Sequence, residues 1–185
     1  MDVKKLIKKR KPLEYLLWVG IIAVCIGLDQ LTKWLTVRYI PLHGTIPIIE
    51  DVIHLTHTRN PGAAFGSLQD MPWVFNSVSS VAIIAMLLFL FLGHGSSRLQ
   101  EVSVAMILAG GVGNMIDRIS LGYVVDFIDF RLIDFAVFNG ADSFVCVGAG
   151  LLILSLILEM KDEMKKEKAA AAERSARSHG EEDGE

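Results

Sequence analysis

Two aspartates stand out as a chemical pair: Asp126, in the apolar run Tyr123-Val124-Val125-Asp126-Phe127, and Asp142, which opens an apolar helix after Asn139-Gly140-Ala141. Two close carboxylates in a low-dielectric site do not both ionise easily, so one keeps its proton while the other is charged. The ionised member can take a proton from a water between them while the protonated member gives one to a peptide carbonyl. Hydrolysis by such a pair needs no metal and no covalent intermediate. On residue type alone Asp142 reads equally well as a helix cap or first-turn acid. Asp129 and Asp134, in the same stretch, are expected in a solvated outer loop.

Other hydrolytic signatures are missing from the sequence. There is no His-Glu-x-x-His zinc motif and no Gly-x-Ser-x-Gly elbow. His54 and His57, three apart in VIHLTHTRN, read as strand or loop residues and not as ligands. Nothing in the spacing makes a serine–lysine pair of Ser143 and Lys33. No metal and no cofactor is expected.

The elements that hold the aspartates must answer to the composition. The 185 residues are 52% hydrophobic and 21% charged, with net charge -3 and mean hydropathy +0.45. A soluble domain of this size is normally more polar. No basic patch interleaved with aromatics suggests nucleic acid as a partner. Cys25 and Cys146 lie in apolar runs, as small hydrophobes would. A bilayer core about 30 Å thick takes about 20 helical residues, and four segments suit it: roughly 13–34, 72–92, 101–118 and 141–158. AMLLFLFLG and GLLILSLILE have no polar face, which argues for lipid around them.

Basic residues orient the spans. Lys4, Lys5, Lys8, Lys9, Arg10 and Lys11 precede the first, and Lys161, Lys165, Lys166, Lys168, Arg174 and Arg177 follow the last. Arg98 lies between the second and third. The positive-inside bias puts both termini in the cytoplasm, as an even number of spans requires. The first span is read as retained, because no small-x-small cleavage site follows it and Val24 is too large for the position before Cys25 in a lipoprotein box. The reading divides the chain into a basic arm (1–12), a four-span domain (13–158) and a charged tail (159–185), the tail a frayed helix giving way to disorder.

Helix rise then places the polar residues in depth. Asp29 lies seventeen residues after Pro12, Arg118 seventeen after Glu101, and Asp142 seventeen before Glu159. Seventeen residues rise about 26 Å, so all three reach one layer near the outer edge of the hydrocarbon. Polar residues at membrane depth are costly and often functional. Asp29 and Lys33, four apart, share a face and could simply pair. Asn114 and Arg118 share another, with a supporting role or a lipid headgroup as alternatives. Gly110, Gly111 and Gly113 allow close helix approach.

At these residues the sequence resembles the lipoprotein signal peptidases, or signal peptidase II. The segments that carry it are DQLTKW (29–34), RNPGAAFG (59–66), GGVGNMIDRISLGYVVDFIDF (110–130) and FNGADS (138–143). The resemblance covers most of 29–143 and implies an all-α membrane aspartyl endopeptidase of four transmembrane helices in a bacterial cytoplasmic (inner) membrane, with its active site near the outer face. It implies a prolipoprotein substrate carrying diacylglycerol on the cysteine just after the cut, alongside membrane phospholipid, and a monomeric enzyme. Catalytic positions fall on Asp126 and Asp142, and support positions on Asp29, Lys33, Asn60, Asn114, Arg118 and Asn139. Gly140 stands where a branched residue is expected. The resemblance further implies an extracytoplasmic β-cradle with a mobile lid between the first two helices, about 37–71. The residues agree in part: IIEDVIHLTHT is β-branched with imperfect alternation, and NPG signals a turn, where Asn60 is either a turn residue or an amide aimed at substrate.

Two readings of other classes remain at this level. Asp29, Asn114 and Asp142 could line an ion path, although they cluster at one face with no polar chain through the cytosolic half. A noncatalytic assembly factor packed through its glycines would tolerate loss of both aspartates.

Overall fold

The computed structural model describes residues 12–62, 72–92 and 97–182. Four helices, α1 (Pro12–Tyr39), α2 (Pro72–Leu92), α3 (Arg98–Leu121) and α4 (Gly140–Glu182), account for most of it. Three strands, β1 (Thr45–Ile49), β2 (Ile53–Asn60) and β3 (Val124–Asp129), form one small sheet. A 3-10 turn, Arg131–Ile133, follows β3.

Local sequence sets the helix ends. Pro12 opens α1, where its missing N–H costs nothing. Ser97 caps α3, its hydroxyl accepting from Gln100 N at 3.3 Å. Gly122 ends α3 at φ 81°, a left-handed conformation suited to glycine, with its N–H donating to Arg118 O.

Helix α3 is the inner helix: it packs against α1, α2 and α4. Its apolar window is 56% buried, against 17% for α1 and 11% for α4. All three are long and apolar enough to cross a membrane; α2 contributes an apolar run of 17 residues, Asn76–Leu92. The buried cluster Trp18, Leu90, Val104, Ala105 and Leu108 joins α1, α2 and α3. The Trp18 indole N–H donates to Glu101 Oε2 at 3.3 Å.

The segment expected to form a cradle supplies two of the three strands. Strands β1 and β2 do lie between the first two helices, but β2 also pairs antiparallel with β3, which follows α3. The sheet is therefore completed by the strand that carries Asp126. Asp129 is the last residue of that strand, not part of a solvated loop: it accepts from Thr56 Oγ1 at 2.6 Å and pairs with Arg131. Asp134 is exposed, as expected. His54 and His57 are both strand residues of β2 and both buried. The His57 Nδ1–H donates to Ile40 O at 2.8 Å, tying the strand to the residue that follows α1.

Helix α4 runs on through the tail to Glu182, where Lys, Glu and Ala residues favour helix and pairs such as Asp162 and Lys166 stand four apart. Residues 63–71 of the expected cradle-and-lid segment and residues 1–11 of the basic arm lie outside the described residues.

Candidate functional site

The site forms where α4 begins, against α1, α3 and β3. Asn139 is the helix cap, fully buried, its Oδ1 accepting from Asp142 N at 3.0 Å. Asp142 returns the contact, its Oδ2 accepting from Asn139 N at 3.2 Å. This reciprocal box satisfies two main-chain donors at the helix start. The first-turn reading of Asp142 thus matches the geometry, and the same residue faces the candidate chemistry.

Asp126 reaches the site from the sheet. The pairings Thr58↔Asp126 and Asn60↔Val124 set the register. Asn60 is then a diagonal neighbour of Asp126, and its Nδ2 donates to Asp126 Oδ2 at 3.0 Å. Its own Oδ1 accepts from Gly62 N, so both turn residue and site residue are apt descriptions. The other oxygen, Asp126 Oδ1, accepts from Asn139 Nδ2 at 2.7 Å. Asp142 Oδ1 accepts from Asn114 Nδ2 at 2.8 Å. Each of the four carboxylate oxygens thereby has one donor from an amide or the main chain, and Asn139 serves both acids.

Behind the pair lies a buried charged layer. Lys33 Nζ meets Asp29 Oδ2 at 2.9 Å, Asp117 Oδ2 at 3.1 Å and Asn114 Oδ1 at 2.9 Å. A buried ammonium is tolerated here because its donors are satisfied and two carboxylates face it. Asp29 Oδ1 also accepts from Ala141 N at 2.8 Å, so α1 supplies a second anion to the start of α4. Gly113 makes room for this: a Cβ there would stand 2.6 Å from Asp29 Oδ2. Gly110 lies against Ala141 O in the same way.

All eight residues singled out in the sequence are in this region, but in different relations. Asp126, Asp142, Asn60, Asn114 and Arg118 line one cavity of about 720 Å³. Asn139 lies beneath it, and Asp29 and Lys33 lie behind Asn114 and Ala141. Arg118 is half-buried in the wall and has no ion-pair partner among the described residues. The rest of the lining is mostly apolar, with Phe135, Phe138, Cys146 and Val147 beside the polar Thr58, Arg59 and Ser143.

The sequence reading passed over Asp117 and Gln30. Asp117 Oδ2 accepts from Val125 N at 3.1 Å as well as pairing with Lys33. Gln30 Nε2 donates to Asp117 Oδ1 at 2.9 Å. Asp117 thus fixes the main chain one residue before Asp126. The available signal was a charge at membrane depth one turn after Asn114 and Gly113.

Electrostatics favour the protonated form of Asp126. Burial pushes the Asp126 carboxyl up to about 6, opposed first by the Asn60 hydrogen bond and aided by the negative charge of Asp142; Asn139 and Lys33 pull the other way. Asp126 therefore holds a proton under conditions where an exposed carboxyl is ionised. Two carboxyl groups in a common cavity, one able to keep a proton, can activate water and protonate a leaving or carbonyl group without a covalent intermediate.

Comparison with known proteins gives this arrangement a context. The family model for signal peptidase (SPase) II matches residues 21–158. The lipoprotein signal peptidase of Brevibacillus brevis is 46% identical over 147 residues, spanning 78% of this chain and 98% of the relative. That of Halalkalibacterium halodurans is 42% identical over 149 residues, 80% and 95% of the two chains. A bacterial membrane enzyme solved by the in meso method at 2.3 Å resolution is similar in structure with a TM-score of 0.74 and 30% identity, over 79% of this chain and 90% of that one. Another, at 1.9 Å, gives 0.70 and 31% over 76% and 92%. A match across both the helices and the site segments is a family relationship, and the chain belongs to the signal peptidase II family.

Proposed function

We propose that this protein removes signal peptides from lipoprotein precursors, with Asp126 and Asp142 as a catalytic aspartate pair. The observation that carries the reading is that two carboxyl groups from separate elements share one cavity and one bridging residue, Asn139. Asp126 holds the proton that reaches the peptide carbonyl, and Asp142 orients the attacking water. Asn60, Asn114 and Asn139 fix the carboxyl groups, Asp29 and Lys33 support the start of α4, and Arg118 contacts substrate from the cavity wall.

In this reading all four helices span a bacterial cytoplasmic membrane, with α2 completed by residues before Asn76. Both termini are cytoplasmic and the sheet lies at the outer face. The substrate carries diacylglycerol on the cysteine that follows the cut. The apolar cavity walls support that, because a lipidated peptide presents apolar surface to them. The enzyme acts as a monomer within surrounding phospholipid.

The test is cleavage of a diacylglyceryl prolipoprotein in lipid by the wild type, Asp126→Asn and Asp142→Asn, each verified as normally inserted. Wild type cuts, and each variant loses at least about a thousandfold, as expected when a residue acting in the transition state is removed. Near-normal cleavage by either variant would remove that residue from the pair.

A further inference from the structure

Between the 3-10 turn and α4, the chain runs through Phe135, Ala136 and Val137 in no regular structure, and all three residues line the cavity. The ends of this segment are tied down. Phe135 N donates to Phe130 O at 3.3 Å. Phe138 N donates to Ile128 O at 3.1 Å, and Phe138 O accepts from Phe127 N at 2.9 Å and from Ile128 N at 2.7 Å. Phe138 is thus bridged to the strand residues that directly follow Asp126.

The middle of the segment is different. Among the described residues, the N–H and C=O groups of Ala136 and Val137 have no hydrogen-bond partner, and neither does Phe135 O. Both residues are partly buried. Main-chain donors and acceptors left open beside a cavity are the pattern that an added extended chain satisfies.

Phe135 supplies a second feature. Its side chain is 52% exposed yet held in place: its ring meets Phe138 edge-on at 5.8 Å, and Phe138 stacks on Phe130 at 5.7 Å. An aromatic that is both exposed and fixed by its neighbours is ready to receive an apolar group at little ordering cost.

We propose that Phe135–Val137 is the substrate's docking edge: the open main-chain groups of Ala136 and Val137 pair with the extended peptide around the cut, and the Phe135 ring receives one of its apolar side chains. The occupant is a peptide and not an acyl chain, because an acyl chain has nothing to offer the open N–H and C=O groups. The inference rests on the peptidase reading and adds a specificity surface distinct from the two aspartates.

A substrate-side test leaves the protein unaltered. Prolipoprotein substrates carry a single ester in place of one amide, at successive positions on either side of the scissile bond and never at it. Each ester removes one N–H and weakens one carbonyl acceptor. Where a bond to the edge is lost, kcat/KM falls about three- to tenfold. A flat ester scan with a substrate that the wild type cuts overturns the docking edge and leaves the peptidase reading standing. Failure of the wild type to cut any prolipoprotein overturns the peptidase reading itself.

On the enzyme side, Val137→Pro deletes one open N–H and raises KM about fivefold or more with kcat largely kept. Phe135→Ala reduces the preference for a large over a small apolar side chain beside the cut about tenfold, and Phe135→Leu restores most of it. If Phe135→Ala instead changes only the dependence on acyl-chain length, the ring serves the lipid, and its assignment to the peptide is overturned.

Discussion

Asn139 and Asp142 cap one another: the side chain of each accepts from the main-chain N–H of the other, at 3.0 and 3.2 Å. The same Asn139 amide also donates to Asp126 at 2.7 Å and to Asn114 Oδ1 at 3.0 Å. A device that starts a helix therefore also sets the relative position of two acids from different elements.

Replacing Asn139 separates these duties. Serine caps helices about as well as asparagine, whereas alanine costs about 0.5–2 kcal/mol. Asn139→Ser is expected to unfold near the wild-type temperature in detergent but to lose cleavage by about a hundredfold or more, because no amide remains to donate to Asp126. Asn139→Ala is expected to lose both. Thermal unfolding measured beside kcat/KM distinguishes them, and full activity in the serine variant would show that the bridge to Asp126 is dispensable.

The pH dependence follows from Asp126. Its carboxyl keeps its proton up to about 6, above the ordinary value of 3.8. A mechanism that needs that proton loses kcat/KM as pH rises through about 6. Stability moves in the same direction. Between pH 3.8 and about 6 the native state binds more protons than the unfolded chain, so the unfolding free energy falls as pH rises across that window. A kcat/KM profile flat from pH 5 to 8 would contradict the assignment.

Lys33 and Asp117 should behave as a coupled pair. Lys33→Met leaves two buried carboxylates without their cation, a loss of about 3–5 kcal/mol. Asp117→Asn frees Val125 from a charged acceptor and costs about 1–3 kcal/mol. The double variant should lose clearly less than the sum, because the charges removed were facing each other. Strict additivity in denaturant titrations would mean that the ion pair at 3.1 Å contributes nothing.

Two glycines are expected to respond oppositely to alanine. At Gly113 a Cβ would stand 2.6 Å from Asp29 Oδ2, so Gly113→Ala displaces the Asp29 carboxylate from Ala141 N and costs about 1–3 kcal/mol, with activity lost. At Gly140 the nearest atom to a new Cβ is Asp29 Oδ1 at 3.4 Å, an ordinary contact. There, Gly140→Ala stabilises by up to about 1 kcal/mol through reduced freedom of the unfolded chain. Thermal unfolding of the two variants tests both directions.

Much of this site was legible in the residues because helix geometry is local. Counting rise from the charged ends put Asp29, Arg118 and Asp142 at one level, and the structure joins Asp29 to Ala141 N beside Asp142. The ends of α2 likewise fall at the expected 72 and 92. What escaped was non-local. Val124–Asp129 looked like an apolar, β-prone loop, because its partner β2 lies more than sixty residues earlier and no short-range pattern encodes that pairing. Asp129 was misplaced in solvent for the same reason. Asp117 went unremarked because a single charge next to Arg118 suggests a simple neighbour, whereas its actual partners are Lys33 on another helix and the main chain of Val125.

In the proposed mechanism, the location of the acid pair also sets when the protein becomes competent. Asp126 is made on β3, after the first three helices, but its partner and its bridging amide belong to the first residues of the last helix. A chain that ends before α4 holds Asp126 and Lys33 but lacks Asn139 and Asp142, and Asp29 has no Ala141 N–H to accept from. In the proposed mechanism the unfinished chain therefore carries no working pair, and hydrolytic competence waits for the start of α4.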